Sequence, residues 1–250
     1  MMKRVSLVLT AIAMAGLAMS PAGASASIVE LGQTSPITSP ACPQGVSPAN
    51  CFIILTRSTA VQSISDGVAN PTRVKADGWI VAFTVGLSQL SSTAKTERSF
   101  LHELDTAYGG TPQLVLTVLK PGPNNQYTVA AQSGTYHLIP FLGQVLQEPL
   151  ALPPSFTALT ALPVKAGDVV GLTIPTWAPV LSYNLSASKF AYRQSRRANC
   201  THAAASQTAQ LTIGESQSYL CSYTGTRVEY SATEVTNTPY PKQYVHGVRR

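Results

Sequence analysis

Residues 163–179 read PVKAGDVVGLTIPTWAP, and three features of that stretch decide the fold class. Ala166, Gly167 and Asp168 form a turn, because glycine accepts positive φ and aspartate bonds its own backbone nearby. Residues 169–174 are apolar on both faces, as in a strand buried between two layers. Pro175 has no amide donor and is expected to end the ladder, while Pro179 confines the segment that carries Trp177. The stretch is expected to be a central strand of a β-sandwich that delivers one large aromatic to the sandwich's edge.

The strands around it follow the same logic. Residues 79–87, WIVAFTVGL, alternate with period two, which puts Trp79, Val81, Phe83, Val85 and Leu87 on the face assigned to the core. Residues 113–119 and 127–131 flank the turn 121–125 as a hairpin. Shorter strands are expected at 52–56, 136–146, 188–192, 209–213, 219–223 and 227–235. In the last of these, Val228, Tyr230 and Ala232 face inward, and Arg227, Glu229, Ser231 and Thr233 face solvent. Residues 95–107 are read as a surface loop with one helical turn, and 195–205 as a loop. The fold class is therefore all-β: an antiparallel, jelly-roll-like β-sandwich, with a barrel as the runner-up.

The first 26 residues read as a targeting signal. Lys3 and Arg4 precede an uncharged apolar run at 5–19, and Ala24-Ser25-Ala26 is a small-x-small cleavage site. The mature chain is expected to begin at Ser27 and to be secreted. Residues 27–51 are expected to form a disulfide-tied irregular leader, 52–235 one sandwich domain, and 236–250 a loose tail. Without Lys3 and Arg4 the net charge falls from +6 to +4, an excess compatible with anionic cell-wall polymers. Four cysteines in an exported chain imply two disulfides. Three connectivities fit the sequence, and local pairing of Cys42 with Cys51 and Cys200 with Cys221 is the one expected. A zinc site lacks its Cys-x-x-Cys and histidine spacing, so no metal or cofactor is expected.

The cysteine pair near Cys42 and Cys51, the strand GWIVAFTVGL and the segments LVLTVLKPG and YTVAAQS carry a resemblance. LPVKAGDVVGLTIPTWAP, the pair Cys200 and Cys221, and VEYSATEV complete it in order. Together they resemble a group of secreted actinobacterial proteins without an assigned activity. The resemblance implies export and an all-β domain, and it transfers no catalytic residue.

Candidate site residues come from the residue types alone. Trp177 and Tyr183 can stack on a sugar ring if exposed, or plug the sandwich rim if buried. Arg193, Arg196 and Arg197, with Lys189, Phe190 and Tyr192, form the densest basic run. It suits a phosphate-bearing wall polymer better than nucleic acid, since the chain is read as exported. Its alternative is a set of solvated charges. His102 and Asp105 would serve an extracellular hydrolase as base and orienting carboxylate, but no His-Glu-x-x-His or Gly-x-Ser-x-Gly motif accompanies them. Asp66, Asp77, Asp105 and Asp168 lie in or beside turns, where they could collect a structural calcium, although they lack the spacing of a calcium loop and turn aspartates already bond their own backbone. The reading is a secreted, non-catalytic binding or envelope-associated module, with cell-wall polysaccharide or another envelope component as partner. The alternatives are the hydrolase and a purely structural envelope protein.

Overall fold

The computed structural model describes residues 27–41, 53–150, 161–197, 200 and 209–236. The expected signal peptide, Cys42, Cys51 and nearly all of the expected tail lie outside these residues. The described strands are β1 (Ser27–Leu31), β2 (Leu55–Ser65), β3 (Val68–Ala69), β4 (Gly78–Gly86), β5 (Gln113–Pro121) and β6 (Gln126–Gln132). β7 (Tyr136–His137), β8 (Val145–Pro149), β9 (Leu162–Val164), β10 (Val169–Ala178) and β11 (Leu181–Ser182) follow. The chain then forms β12 (Ala191–Gln194), β13 (Ser216–Ser218), β14 (Cys221–Thr224), β15 (Arg227–Val228) and β16 (Tyr230–Thr236). Among the described residues one α-helix, α1 (Ala94–Tyr108), lies between β4 and β5. All pairings among the described strands are antiparallel, and the fold is the expected all-β sandwich.

The smaller layer runs β1-β16-β4-β8, with β9 also on β4. The larger runs β13-β6-β5-β10-β2-β12-β14. Between the layers lies the main core, which includes Phe83, Val85, Leu116, Val118, Val170, Leu172, Ile174 and Tyr230. Tyr230 donates its hydroxyl across the gap to the Val170 carbonyl, and the Gln62 amide donates to the carbonyls of Val228 and Tyr230. The tyrosine and glutamine donors are buried and bonded and so join the layers, while the Gln62 side-chain oxygen accepts no bond.

The larger sheet cannot be flat. β13 and β14 stand at opposite ends of its seven-strand order, yet only Tyr219 and Leu220 separate them. Six flat spacings would cover about 29 Å at ~4.8 Å each. Three peptide steps reach only about 11 Å. The sheet therefore curls into a half-barrel whose ends meet on the run from Ser216 to Thr224. The Tyr219 amide donates to the Asn125 carbonyl beside β6, and the Leu220 amide donates to the Arg196 carbonyl beyond β12. Inside the curl, Val61, Leu119, Val129, Val169 and Tyr219 form a second cluster. Gly171 lets it close: a Cβ there would stand 2.9 Å from the Ala60 carbonyl oxygen and 3.0 Å from the Leu119 side chain.

Several strand-level expectations change for physical reasons. In β4, Ile80 is buried, whereas Trp79 and Val81 are only half-buried. Thr233 pairs with Ala82 but Glu234 with Ile80, so Val81 is an extra residue in a bulge. One extra residue inverts the alternation on its N-terminal side. Pro175 does not end its strand. β10 absorbs Pro175 and Thr176 in a second irregularity and pairs again at Trp177 with Thr56. The leader is not wholly irregular, since Ser27–Leu31 pairs along β16. Residues 209–213 are not a strand; the pairing on β6 starts at Ser216.

The largest correction concerns the edge assigned to solvent. Arg227 is 5% exposed and Glu229 2%, and Ser231 is fully buried. The leader explains it: Arg227 donates to the Ser35 hydroxyl and to the Ser35 and Pro36 carbonyls, and its Nε stands 3.6 Å from a Glu229 carboxylate oxygen. Glu229 also accepts from the Thr38 amide. Burial raises the Glu229 carboxyl above its ordinary 4.5, against the opposing pull of the Arg227 charge. The folded chain therefore holds this proton more tightly than the unfolded chain does. Stability conferred by this group is present at acid pH and is lost as pH climbs from about 4.5 through the raised value. Urea midpoints measured across that range should fall less steeply in Glu229→Gln than in the parent; an identical slope would show that Glu229 titrates as if exposed.

Candidate functional site

Trp177 belongs to the floor beneath a helix. It is fully buried and packs with Ile53, Leu90 and the helix residues Phe100, Leu101, Leu104 and Tyr108. Those four positions make one apolar stripe on α1, the spacing an amphipathic helix needs to cover a sheet. Four turns form where one was expected, because the sheet supplies an apolar surface that the local sequence does not disclose. The Trp177 indole N–H lies 3.0 Å from Asp105 Oδ1 and 3.1 Å from the Gly110 carbonyl. Asp105 also accepts the Gly109 and Gly110 amides on its own carbonyl, which closes the helix. From the irregularity in β2, Arg57 donates to the Ala107 carbonyl, with its guanidinium 5.5 Å from the Tyr108 ring centroid. A cation there suits the helix's negative C-terminal end.

This arrangement decides between the two readings of the tryptophan. It is the plug, and no ligand can stack on it. Tyr183 is half-buried in the same cluster. The hydrolase pair is likewise not assembled: Asp105 is engaged by Trp177, whereas His102 is exposed on the helix. Among the described residues, no serine hydroxyl or carboxylate bonds the His102 side chain. The turn aspartates are engaged locally too: Asp66 by Thr34, Asp77 by Lys165 and the Ala166 amide, and Asp168 by the Lys165 amide. Among the described residues, no three metal-ligating side chains gather.

The basic run separates into three environments. Arg193 is half-buried on β12 and donates to the Tyr219 carbonyl at 3.2 Å. Arg196 is 1% exposed, and Arg197 is exposed. Arg193 pairs with Val61 of β2, five residues along from Thr56, which pairs with Trp177. That is about 17 Å of strand, so Trp177 and Arg193 do not share one site.

What Arg193 shares with Arg73, from outside the run, is a neighbour that sequence reasoning missed. Tyr127 is half-buried on β6, and its ring stands 4.6 Å from that of Tyr219. Burial raises its phenol, and the charges of Arg193 and Arg73 pull it back, which places both guanidiniums in its electrostatic reach. Among the described residues neither arginine makes an ion pair. Asp168 serves the Lys165 amide, and Glu215 serves Leu211 and Gln217. The Tyr127 site assembles from β6, β12 and the two segments that carry Arg73 and Tyr219, and nothing local in the sequence marks it.

The Cys200–Cys221 disulfide forms as expected, with Cα atoms 5.3 Å apart, and fits an oxidising compartment. No helix among the described residues is long and apolar enough to cross a membrane. Compared with known proteins, the chain matches no family model, no curated protein and no solved structure.

The indole bond carries its own test. Trp177→Phe keeps most of the volume but strips the donor from Asp105 and the Gly110 carbonyl, at a cost of about 1–3 kcal/mol. Trp177→Ala should cost about 3–5 kcal/mol. Urea unfolding of both variants should show that order; an unchanged Trp177→Phe would mean the indole bond adds nothing.

Proposed function

We propose that the chain is an exported, non-catalytic binding module that holds an anionic envelope polymer at the Tyr127 end of the half-barrel. The observation that carries this reading is the pair Arg73 and Arg193, both in electrostatic reach of the half-buried Tyr127 phenol and neither engaged by a carboxylate among the described residues. An aromatic surface offers a flat apolar face to a sugar, and flanking guanidiniums suit phosphate or carboxylate groups along a chain. The disulfide supports export, and the formal charge of +4 that remains without Lys3 and Arg4 suits an anionic surface. The buried Trp177 and the engaged Asp105 weigh against the hydrolase alternative.

Binding to polyglycerol phosphate, with neutral dextran as the control, tests the proposal. The phosphate polymer should bind, and more weakly as salt rises from about 0.05 to 0.5 M, because Arg73 is exposed and Arg193 only half-buried, so salt screens both. The double variant Arg73→Gln, Arg193→Gln should lose about three- to tenfold in affinity. Equal retention on dextran, or full binding by the double variant, would overturn the reading. No binding to either polymer would favour a structural envelope role.

A further inference from the structure

A buried guanidinium costs several kcal/mol unless other groups meet its charge and its donors. Two arginines in the described fold are almost fully buried. Arg227 has its charge met by Glu229 and both terminal nitrogens bonded to three oxygens of the leader, which leaves only its Nε without a hydrogen bond. Arg196 is not: at 1% exposure its Nε and Nη1 have no hydrogen-bond partner. It takes part in no ion pair among the described residues. The eleven aspartates and glutamates of the chain all lie within the described residues, so no carboxylate side chain elsewhere in this sequence can neutralise it.

Two further orphans adjoin it in the strand register. The Ser58 hydroxyl is fully buried and unpartnered, and so is the Gln194 side-chain oxygen at 4% exposure. Gln194 pairs with Ala60, and Ser195 exchanges bonds with Thr59 through its amide and its hydroxyl. Ser58 and Arg196 therefore follow where the pairing of β2 and β12 ends. The backbone there is fixed: the Arg196 amide donates to the Gln194 carbonyl at 2.7 Å, and its carbonyl accepts from Leu220. Four residues on, Cys200 is tied by its disulfide and by the Tyr223 hydroxyl, which donates to its carbonyl.

We infer that this end of β2 and β12 is a binding site for one small oxyanion group. Arg196 supplies the charge and the main donors, Ser58 supplies a hydroxyl, and a half-turn of the Gln194 amide adds its NH2. Phosphate, sulfate and carboxylate groups share the required chemistry of clustered, negatively charged oxygens. The site is separate from the Tyr127 surface, and the inference does not rest on that surface's role.

The test titrates the full exported chain with inorganic phosphate, sulfate or acetate at constant ionic strength, with chloride as the control. At least one oxyanion should bind saturably at one equivalent and raise the melting midpoint above chloride, as any ligand selective for the folded state must. The oxyanion that does so identifies the group. Arg196→Gln should weaken that binding about tenfold or more, since charged hydrogen bonds are lost, and Ser58→Ala a few-fold. The double variant Arg73→Gln, Arg193→Gln should bind as the parent does, which keeps failure here distinct from failure at Tyr127. If Arg196→Gln does not fold, Arg196→Lys keeps the charge and should still lose affinity, because lysine lacks the planar fork. Absence of saturable binding by the parent, or undiminished binding by a folded Arg196 variant, would overturn the inference.

Discussion

Two residues, Tyr219 and Leu220, join the opposite ends of a seven-strand sheet. That short connection forces the sheet to curl, and most other features depend on the curl. It creates a concave face that must be filled, and Tyr219 fills it together with Val61, Leu119, Val129 and Val169. Beside them the hydroxyls of Thr59, Thr117 and Thr173 bond one another. Gln210 completes the filling: its amide donates to the Tyr127 and Glu215 carbonyls, its oxygen accepts from the Tyr219 hydroxyl, and its backbone N–H bonds Thr59. A buried polar network of this kind is stable only when every member is satisfied, and the closing tyrosine satisfies the last of them.

The same constraint arranges the surfaces. Helix α1 packs over Trp177 toward one end of β10, while Arg73, Arg193 and Tyr127 gather toward the other. The two buried arginines then differ in a telling way. Arg227 is matched within the chain and fastens the leader to β15 and β16, so its role is internal. Arg196 lies at the closing run itself, where the Leu220 amide meets its carbonyl. A charge left unmatched at a rigid backbone position is costly to folding, and sites of recognition are where such a cost is offset by a ligand.

Much of the architecture was legible in residue order. The alternation in residues 79–87, the apolar run 169–174 and the hairpin around 121–125 led to an antiparallel sandwich, and the Cys200–Cys221 pairing followed from proximity. What escaped were effects that arise between distant segments. Nothing local to 227–235 reveals that the leader will cover Arg227 and Glu229, so alternation alone placed them in water. The bulge at Val81 inverted an otherwise sound assignment of faces. Helix α1 looked weak because its stripe needs Trp177, some seventy residues on, to pack against. The candidate surface suffered most: Trp177 stood out by type and proved structural, while Tyr127 and Arg73 stood out in no way until the sheet curled.

The closure of the larger sheet is the claim on which the rest stands, and amide hydrogen exchange measures it residue by residue. If the run from Ser216 to Thr224 joins both ends, the Tyr219 and Leu220 amides should exchange as slowly as those of Val170 and Leu172 at the sheet's centre. Exchange of Tyr219 and Leu220 at the rate of an open edge, with the central amides still protected, would contradict the closed arrangement.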